Sequence, residues 1–286
     1  MASDSNGAAV HSRRLFVVLV MLAACVGLVA SGAPADAGSS GRDRALRVLV
    51  YNIHAGIGTD GVLDLERIGR VIRSSRADVV GLQEVDRHYS ARSEWADQGA
   101  ELARQLDFHL VYGANIDEEP PGPGRPRVQY GTAILSRYPI TSSGNTPLYR
   151  SEGEEQRGLL TAVVDVPGAD IEVYNTHLSA TSAADRAQQT TQIRQLIGTS
   201  GRPVVLVGDL NAPPDAPEIA TLTGVLRDSW AVAGKGHGYT FDSRNPVKRI
   251  DYVYTSDGLE SMRSRVLTTH RAASDHLPVS VTLRVT

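Results

Sequence analysis

The sequence predicts an α/β protein in which two β-sheets pack face to face and helices cover their outer faces. Apolar runs of strand length outnumber the helical patterns along the chain. The connections mix short hairpin turns with longer helical crossovers, which is typical of layered α/β domains. Polar residues also recur where the apolar runs end. We therefore expect the strands to bring polar side chains together at one edge of the sheets.

The first 37 residues differ in character from the rest of the chain. A basic motif at 12–14 precedes an apolar run at 15–30, and a small-residue Ala-x-Ala motif ends at Ala37. This order of basic, apolar and small residues is typical of a secretory signal peptide. We therefore predict a signal peptide over residues 1–37, cleavage before Gly38, and a secreted protein.

Two other fates of this segment are weaker alternatives. The apolar run has 16 residues, slightly fewer than a spanning helix requires, so an uncleaved membrane anchor is less favoured. The motif LAAC resembles a bacterial lipobox, but the residues after Cys25 stay apolar, so lipoprotein processing is also less favoured. Cys25 is the only cysteine of the chain. The rest of the protein therefore has neither a disulfide framework nor a thiol nucleophile.

The remaining chain has the size of one domain and a nearly balanced charge. Removing the predicted signal peptide leaves 249 of the 286 residues, enough for one α/β domain over 46–286 after a polar linker at 38–45. The formal net charge is −3, and it is unchanged because the removed segment carries two basic and two acidic side chains. This balance argues against tight non-specific binding of nucleic acid, although it permits transient turnover. We expect a monomer without an obligate protein partner.

The first half of the domain predicts two strands and two helices. Residues 46–53 are apolar and β-branched, which favours a strand. Apolar residues at helical spacing over 63–75 predict a helix with Asp64 as its N-cap. A second strand is expected over 77–86 and a second helix over 94–108.

The second half predicts a long loop, one helix and a series of strands. Proline and glycine are so frequent over 113–131 that we expect a long surface loop there. A helix is expected over 183–197. The turn PGAD predicts a hairpin between two of the strands. The predicted strands cover 131–140, 158–166, 170–179, 204–209, 249–256 and 274–285.

Nine polar residues lie at or beside the ends of the predicted strands. Any one of them is more often a turn, cap or structural residue than a catalytic one. Together they supply carboxylates, amides and two imidazoles, and hard oxygen ligands suit Mg²⁺, Mn²⁺ or Ca²⁺ better than zinc. A metal ion, an acid that takes a proton from water and an imidazolium beside the phosphoryl group are suited to cleaving phosphate esters. The residues are Asn52, Glu84, Asn175, His177, Asp209, Asn211, Asp251, Asp275 and His276.

Eight motifs follow one another along the chain: YNIHAG, GLQEVD, YGTAILSRYPI, EQRGLL, YNTHLS, GDLNAPPD, RIDYVY and SDHLPV. In this order they resemble the endonuclease/exonuclease/phosphatase superfamily, which includes DNase I, the AP endonucleases, sphingomyelinases and inositol-phosphate phosphatases. The resemblance runs from about residue 46 to 285. It implies a DNase I-like fold, a four-layer α/β/β/α sandwich with a divalent-metal site where the strand ends converge.

The resemblance implies a role for each residue of the metal and water site. Glu84 resembles the principal metal carboxylate, and Asn52 and Asp275 the residues adjoining the ion, which is Mg²⁺ or Mn²⁺, with Ca²⁺ as a further possibility. Asp209 resembles the acid that orients and deprotonates the attacking water. Asn211 resembles the amide that holds the phosphate or the nucleophile. Strand side chains alternate with a period of two, which places Asp209 and Asn211 on one face.

The resemblance also implies a phosphate-binding set. His276 resembles the histidine that contacts the scissile phosphate, and Asp251 the carboxylate that fixes its tautomer and keeps it cationic. His177 resembles a second phosphate-facing histidine. Tyr130 and Arg157 stand where family members often have a phosphate-contacting tyrosine and arginine. An ordinary surface ion pair explains Arg157 equally well.

Two positions depart from the family pattern. His54 follows Asn52 by two residues, where the AP endonucleases have an acid, so a second metal contact there is in doubt. DNase I also has a carboxylate partner for its first histidine. No counterpart stands near Tyr130, so the partner of His177 stays unassigned.

The resemblance leaves the substrate open, since these folds host many specificities. A nuclease could use the arginine-rich stretches 87–92, 124–127 and 243–249 to follow a nucleic-acid backbone. Scattered solvated arginines explain each stretch at least as well.

A phosphodiesterase for lipid or sugar phosphates would need exposed apolar or aromatic groups near the site, and Tyr89 and Trp95 are candidates. The motifs YGTAILSRYPI, EQRGLL and YNTHLS also resemble the phosphodiesterase-type domain of a eukaryotic glycolipid-anchor remodelling protein, which favours a lipid-linked or small diester. An inactive extracellular binding module is the third alternative. It is disfavoured because an idle site has no physical reason to keep all of its acids, amides and imidazoles.

Overall fold

Twelve strands and five α-helices follow one another along residues 44–286, the part of the chain that the computed structural model describes. The predicted signal peptide lies outside the described residues. The strands are β1 Arg44–Asn52, β2 Val79–Arg87, β3 His109–Glu118, β4 Val128–Ser136, β5 Ile140–Pro147, β6 Gly158–Val166, β7 Ala169–His177, β8 Val204–Asp209, β9 Arg227–Asp228, β10 Asp251–Thr255, β11 Leu259–Val266 and β12 Val279–Val285. The helices are α1 Leu65–Ser75, α2 Gln98–Leu106, α3 Ala183–Ile197, α4 Pro217–Thr223 and α5 Ser229–Ala233.

The strands form two six-stranded sheets. The first has the order β11-β12-β1-β2-β4-β3 and the second β5-β6-β7-β8-β10-β9. Each sheet combines parallel and antiparallel neighbours, for example parallel β1 and β2 beside antiparallel β1 and β12. One apolar cluster contains residues of both sheets, a second joins the first sheet to α1 and α2, and a third joins the second sheet to α3 and α4. The predicted four-layer sandwich is therefore confirmed.

Strand periodicity decides which residues face the space between the sheets. In β1, Val48 and Val50 belong to the inter-sheet cluster, while Leu49 and Tyr51 pack on the helical side. Successive side chains of a strand point to opposite faces. Asn52, the last residue of β1, therefore continues the inward-facing set.

The second sheet follows the same rule at the same end of the sandwich. In β8, Val205 and Val207 face the inter-sheet core, while Leu206 packs on the helical side. Asp209 ends this strand on the inward-facing set. The inter-sheet layer thus changes from apolar to polar where the strands end, and this change positions the site described below.

Helix signals in the sequence were largely confirmed. Asp64 caps α1, because its side chain accepts a hydrogen bond from the Arg67 backbone N–H at 2.7 Å. α3 has the predicted bounds of 183–197, and Ser182 caps it by accepting from the Asp185 backbone N–H. The predicted helix over 94–108 was too long. Residues 94–97 are not helical, and Asp97 caps the helix that begins at Gln98.

The long loop predicted over 113–131 was wrong. β3 and β4 pair through most of this range, and the irregular part covers only 119–127. The prolines of 120–126 cluster in the short connection, and their frequency masked the strand residues on both sides of it. β1 also begins at Arg44, two residues before the predicted start of the strand at 46, because Arg44 and Ala45 pair with β12.

Within 44–286, no helix is long and apolar enough to span a membrane.

Candidate active site

Asp209 lies at the centre of a buried polar group. Its Oδ2 lies 3.5 Å from Nε2 of His177 and 3.6 Å from Nε2 of His276, and all three side chains are at most 6% exposed. His177 ends β7 directly opposite Asp209 in the parallel β7/β8 ladder. His276 stands just before β12 in the other sheet. Each sheet therefore supplies one imidazole to the same carboxylate.

Burial makes Asp209 a weaker acid than usual. It raises the pKa of Asp209 to about 7; the His276 charge opposes the rise and Asp251 adds to it. Asn52 Nδ2 donates to Oδ2 of Asp209 and the Asn211 backbone N–H donates to Oδ1, each at 3.0 Å. Both oxygens are thus held in place. A carboxylate that titrates near neutral pH can accept a proton from water.

His276 is held by a second buried carboxylate. Its Nδ1 is hydrogen-bonded to Oδ2 of Asp251 at 2.9 Å. Asp251 begins β10 and pairs with Asp209 across the β8/β10 ladder. Burial opposes the charged ring, but the Asp251 and Asp209 carboxylates outweigh it and raise the pKa of His276 to about 10. The ring is therefore an imidazolium at neutral pH, with Nδ1 donating to Asp251.

His177 is in the opposite state. Burial, the nearby Arg157 charge and the His276 charge lower its pKa well below the usual value. His177 is therefore neutral, and the carboxylate that lies beside it is Asp209. This contact supplies the acidic neighbour that sequence reasoning left unassigned.

Arg157 lies beside His177 and is not on the surface. Its side chain is 7% exposed, and its Nη1 lies 3.0 Å from Oε1 of Glu155. Nε and Nη1 make no hydrogen bond to any described residue. A buried guanidinium whose Nε has no partner is suited to an anionic ligand, because an unsatisfied buried donor is costly. A surface ion pair does not describe this residue.

Asn52 links Asp209 to Glu84. One amide nitrogen, Nδ2 of Asn52, donates to Oε1 of Glu84 at 2.9 Å and to Oδ2 of Asp209 at 3.0 Å. Glu84 stands where the β2/β4 register shifts between Leu82 and Val85, and its φ is 56°. A β-bulge redirects side chains, and a left-handed φ is strained for a residue with a side chain. The bulge therefore aims Glu84 at Asn52.

Asn175 and Gln83 form a clamp that sequence reasoning did not identify. Asn175 is fully buried, and its Nδ2 donates to the Leu82 carbonyl at 2.9 Å and to the Ala133 carbonyl at 2.8 Å. Its Oδ1 accepts from Nε2 of Gln83 at 2.6 Å. Asn175 belongs to the second sheet and its three partners to the first. The clamp therefore ties the sheets together beside the bulge that carries Glu84.

Asp275 lies on the other side of Asn52. The hydroxyl of its neighbour Ser274 donates to the Asn52 carbonyl at 2.8 Å. His54 donates its backbone N–H to Oδ1 of Asn52 at 3.1 Å, and its ring Nδ1 lies 3.9 Å from Oδ1 of Asp275. An imidazole therefore stands beside Asp275 at the position where the family pattern departs.

Asn211 lies near Asp209 for a different reason from the predicted one. β8 ends at Asp209, so strand alternation does not relate the two residues, and that explanation was wrong. Asn211 has a φ of 50° and bonds back to Asp209 through its N–H. Its Nδ2 donates to the Leu178 carbonyl at 3.1 Å. A tight turn therefore holds the amide at the site.

Tyr130 lies at the Glu84 side of the site. It is 7% exposed on β4, and its ring centroid lies 5.5 Å from that of Tyr89. Burial, and after it the Glu84 carboxylate, raise the pKa of the Tyr130 phenol far above its usual value. Tyr130 therefore remains a neutral phenol near Glu84.

The donor set beside Asn52 fits a hard divalent cation. Glu84 and Asp275 are both partly exposed, and neither forms an ion pair with a described lysine or arginine. Free carboxylate oxygens next to an amide are the ligands that Mg²⁺ and Mn²⁺ prefer. Asp209, Asp251 and His276 also place ligand atoms within 4.8 Å of one another. That second group is already engaged in the Asp251–His276 hydrogen bond.

A family model for the endonuclease/exonuclease/phosphatase family matches residues 49–276. The chain belongs to this family. Family members hydrolyse phosphate esters and in general depend on divalent metal ions. The predicted family and DNase I-like fold are therefore confirmed.

Relatives of this endonuclease/exonuclease/phosphatase protein occur in bacteria and in yeast. YbhP of Escherichia coli K12 is 28% identical over 254 residues, which cover 84% of this chain and 97% of YbhP. Protein cwh43 of Schizosaccharomyces pombe is 29% identical over 208 residues, 71% of this chain but 20% of cwh43. The crystal structure of a family member from Beutenbergia cavernae is 32% identical, with a TM-score of 0.73, covering 85% of this chain and 72% of that one.

Proposed function

We propose that the protein is a secreted Mg²⁺- or Mn²⁺-dependent phosphodiesterase that cleaves lipid-linked or other small diesters by in-line attack of water. The observation that carries the proposal is the buried Asp209 carboxylate with His177 and His276 within 3.6 Å and Asn52 bonded to it. This arrangement combines a base, a fixed imidazolium and a link to a carboxylate that suits a metal.

The proton steps follow from the two carboxylates and the imidazolium. Asp209 takes a proton from water as the water oxygen forms its bond to phosphorus. The bond from phosphorus to the departing alcohol breaks, and the His276 imidazolium gives that oxygen a proton. Nε2 of His276 lies 3.6 Å from Asp209, so the proton on Asp209 can return to the imidazole. The Asp251 hydrogen bond holds the ring in the orientation that these transfers need.

The remaining residues bind and orient the phosphate. Arg157 offers its free Nε donor to a phosphoryl oxygen, while its Nη1 lies beside Glu155. Neutral His177 and Asn211 both lie next to Asp209. Glu84, Asn52 and Asp275 would hold the metal ion. When bound, the ion would neutralise charge on the phosphoryl oxygens.

The charge balance of the site favours a diester over a monoester. Five carboxylates, from Glu84, Asp209, Asp251, Asp275 and the Arg157 partner Glu155, outnumber two fixed cations, Arg157 and His276. A diester carries one negative charge and a monoester up to two. The carboxylates therefore repel a monoester more strongly.

Local ion pairs weaken the nucleic-acid alternative. In the first arginine-rich stretch, Arg87 pairs with Asp97 and Arg92 with Asp86. In the other two, Arg127 pairs with Asp117 and Glu119, Arg244 with Asp242, and Arg249 with Asp228. Arginines that are already paired with carboxylates neutralise few phosphates. Binding of a nucleic-acid backbone would therefore release few of its counterions. A small or lipid-linked diester therefore fits better.

A substrate panel tests the proposal. The full chain is incubated with Mg²⁺ or Mn²⁺ and bis-p-nitrophenyl phosphate, p-nitrophenyl phosphate, plasmid DNA and phospholipid vesicles. We expect diester cleavage that excess chelator abolishes. Asp209→Asn is expected to lower kcat by about 10²- to 10⁴-fold, because it removes the base.

Asp257→Asn is the matched control, since Asp257 is an exposed acid whose one ion pair within residues 44–286 is with Arg227. It should retain full activity. Equal turnover in chelator, or an active Asp209→Asn variant, would refute the mechanism. Cleavage of the monoester alone would identify a phosphatase, and preferential cleavage of plasmid would identify a nuclease.

A further inference from the structure

Residues 88–95, in the connection between β2 and α2, form a fixed rim next to Glu84, and we call them the rim segment. His88, Glu94 and Trp95 all have positive φ, between 53° and 55°. The His88 ring Nδ1 is hydrogen-bonded to the Trp95 carbonyl at 2.8 Å, and the Trp95 N–H donates to the Ser90 carbonyl at 3.0 Å. Strained non-glycine backbone of this kind persists only where surrounding contacts hold it, and it clusters at ligand sites.

The buried carboxylate of Asp86 holds Arg92 of the rim segment in place. Nε and Nη2 of Arg92 donate to the two carboxylate oxygens of Asp86 at 2.9 and 2.7 Å. The Asp86 side chain is fully buried, whereas that of Arg92 is 39% exposed. Nη1 of Arg92 makes no hydrogen bond to any described residue. A bidentate pair therefore fixes the guanidinium and leaves one edge free for a ligand.

Aromatic rings connect Arg92 with the site. Its guanidinium carbon lies 5.1 Å from the centroid of Tyr89 and 5.5 Å from that of Tyr130. Tyr130 in turn pairs with Asp86 in the β2/β4 ladder, two residues after Glu84. The free edge of Arg92 is therefore part of the wall on the Glu84 side of the site.

A cleft of about 890 Å³ lies along the rim segment. Trp95 is 54% exposed within it, which is unusual for so large an apolar side chain. The opposite wall is the 119–127 connection. The lining combines one flat aromatic ring and three prolines with the polar side chains of His88, Glu94 and Arg125.

We propose that this cleft, together with Arg92 of the same rim segment, forms a subsite for a polyol or sugar group esterified to the phosphate. The proposal rests on the phosphodiesterase function proposed above and names its substrate class. The flat face of Trp95 can pack on the C–H face of a sugar ring. His88, Glu94 and Arg125 of the lining supply donors and acceptors for hydroxyl groups, and Arg92 Nη1 adds a donor beside the cleft.

The charges around the cleft favour a neutral group over a nucleic-acid strand. Arg125 is the one arginine of the lining, and Glu94 adds a carboxylate that would repel a neighbouring phosphate. A hydroxyl group can donate to that same carboxylate. The prolines of 120–126 also limit the movement of the wall, which lowers the entropy lost on binding.

Three diesters with the same leaving group test the subsite. The p-nitrophenyl diesters of methyl phosphate, glucose 6-phosphate and thymidine 5′-phosphate are compared by kcat/KM with the full chain and Mg²⁺. We expect the glucose diester to be preferred over the methyl diester. Trp95→Ala should reduce this preference about tenfold, mainly through KM, because a bound-state contact is lost.

Arg92→Lys is the second variant. It keeps the charge beside buried Asp86 but removes the guanidinium fork, so the protein should fold and lose preference for glucose by a similar factor. Met262→Ala and Arg227→Lys are the matched controls. Both residues are exposed at the far edge of a sheet, and neither change should alter the preference.

The outcomes separate this proposal from the proposed function. Cleavage of the methyl diester with an unchanged glucose preference in Trp95→Ala and Arg92→Lys would overturn the subsite alone. A larger loss for the thymidine diester than for the glucose diester would also overturn it and indicate a nucleotide. If no diester is cleaved, tryptophan fluorescence is titrated with glucose 6-phosphate. A change that Trp95→Ala abolishes would still support the subsite, and no change would overturn it.

A last pair of probes distinguishes a free ester from a lipid headgroup. Glycerophosphoglycerol and phosphatidylglycerol in phosphatidylcholine vesicles carry the same polyol. Trp95-dependent cleavage of either supports the subsite and identifies the source of the polyol. Cleavage of neither, with the methyl diester still cleaved, would contradict it.

Discussion

Asn175→Ala is expected to destabilise the protein strongly, because its side chain joins the two sheets. The side chain makes three buried hydrogen bonds of 2.6 to 2.9 Å to Gln83, Leu82 and Ala133. Each bond contributes about 1–1.5 kcal/mol, so the expected loss in the free energy of unfolding is about 3–5 kcal/mol. The same change should raise the metal concentration needed for activity, since Leu82 lies two residues before Glu84 at the bulge.

Denaturant unfolding followed by circular dichroism measures the stability, and Asn145→Ala is the matched control. Asn145 is partly buried and makes one short bond, from its Nδ2 to the Ala114 carbonyl at 2.9 Å. Its removal should cost about 1 kcal/mol. If Asn175→Ala costs no more than Asn145→Ala, the clamp does not hold the sheets together and the reasoning fails.

Three further predictions concern the site and one buried ion pair. Glu84→Gln should raise the Mg²⁺ concentration for half-maximal activity by about tenfold or more in a metal titration, because a neutral amide is a poorer ligand for a hard cation. An unchanged titration would show that Glu84 does not bind the metal. Asp251→Asn should lower kcat by about 10²- to 10⁴-fold in protein that circular dichroism shows to be folded, since it no longer fixes the His276 imidazolium. Full activity would contradict that role. Arg249→Met should lower the free energy of unfolding, measured with denaturant, by about 3–5 kcal/mol, because it leaves Asp228 buried without its cation. A loss below about 1 kcal/mol would show that water reaches Asp228.

Elements with a strong local pattern could be predicted from the sequence. β6 and α3 have the predicted bounds, since a continuous apolar run followed by a hairpin turn marks β6 and a cap residue precedes α3. The sequence predicted only the first residue of β5, Ile140, as strand, and it did not predict β11. Both are edge strands with many exposed polar residues, so neither shows the apolar alternation that marks a half-buried strand.

The candidate site was predictable only as far as its residues end strands or match family motifs. The structure brings Asn52, Glu84, Asp209 and both histidines to one end of the sandwich, as the family resemblance implied. The Gln83–Asn175 clamp and the Asp86–Arg92 pair were not foreseen. The clamp joins two sheets, and the pair depends on a strained turn, so neither leaves a signal in the local sequence.

The position of a bound Mn²⁺ ion tests the central claim most directly. The claim is that Glu84, Asn52 and Asp275 hold the metal, while Asp209, Asp251 and His276 handle protons. Anomalous scattering from crystals soaked in Mn²⁺ should show a peak bordered by Glu84 and Asp275. A peak between Asp209, Asp251 and His276, with none at Glu84, would contradict the account.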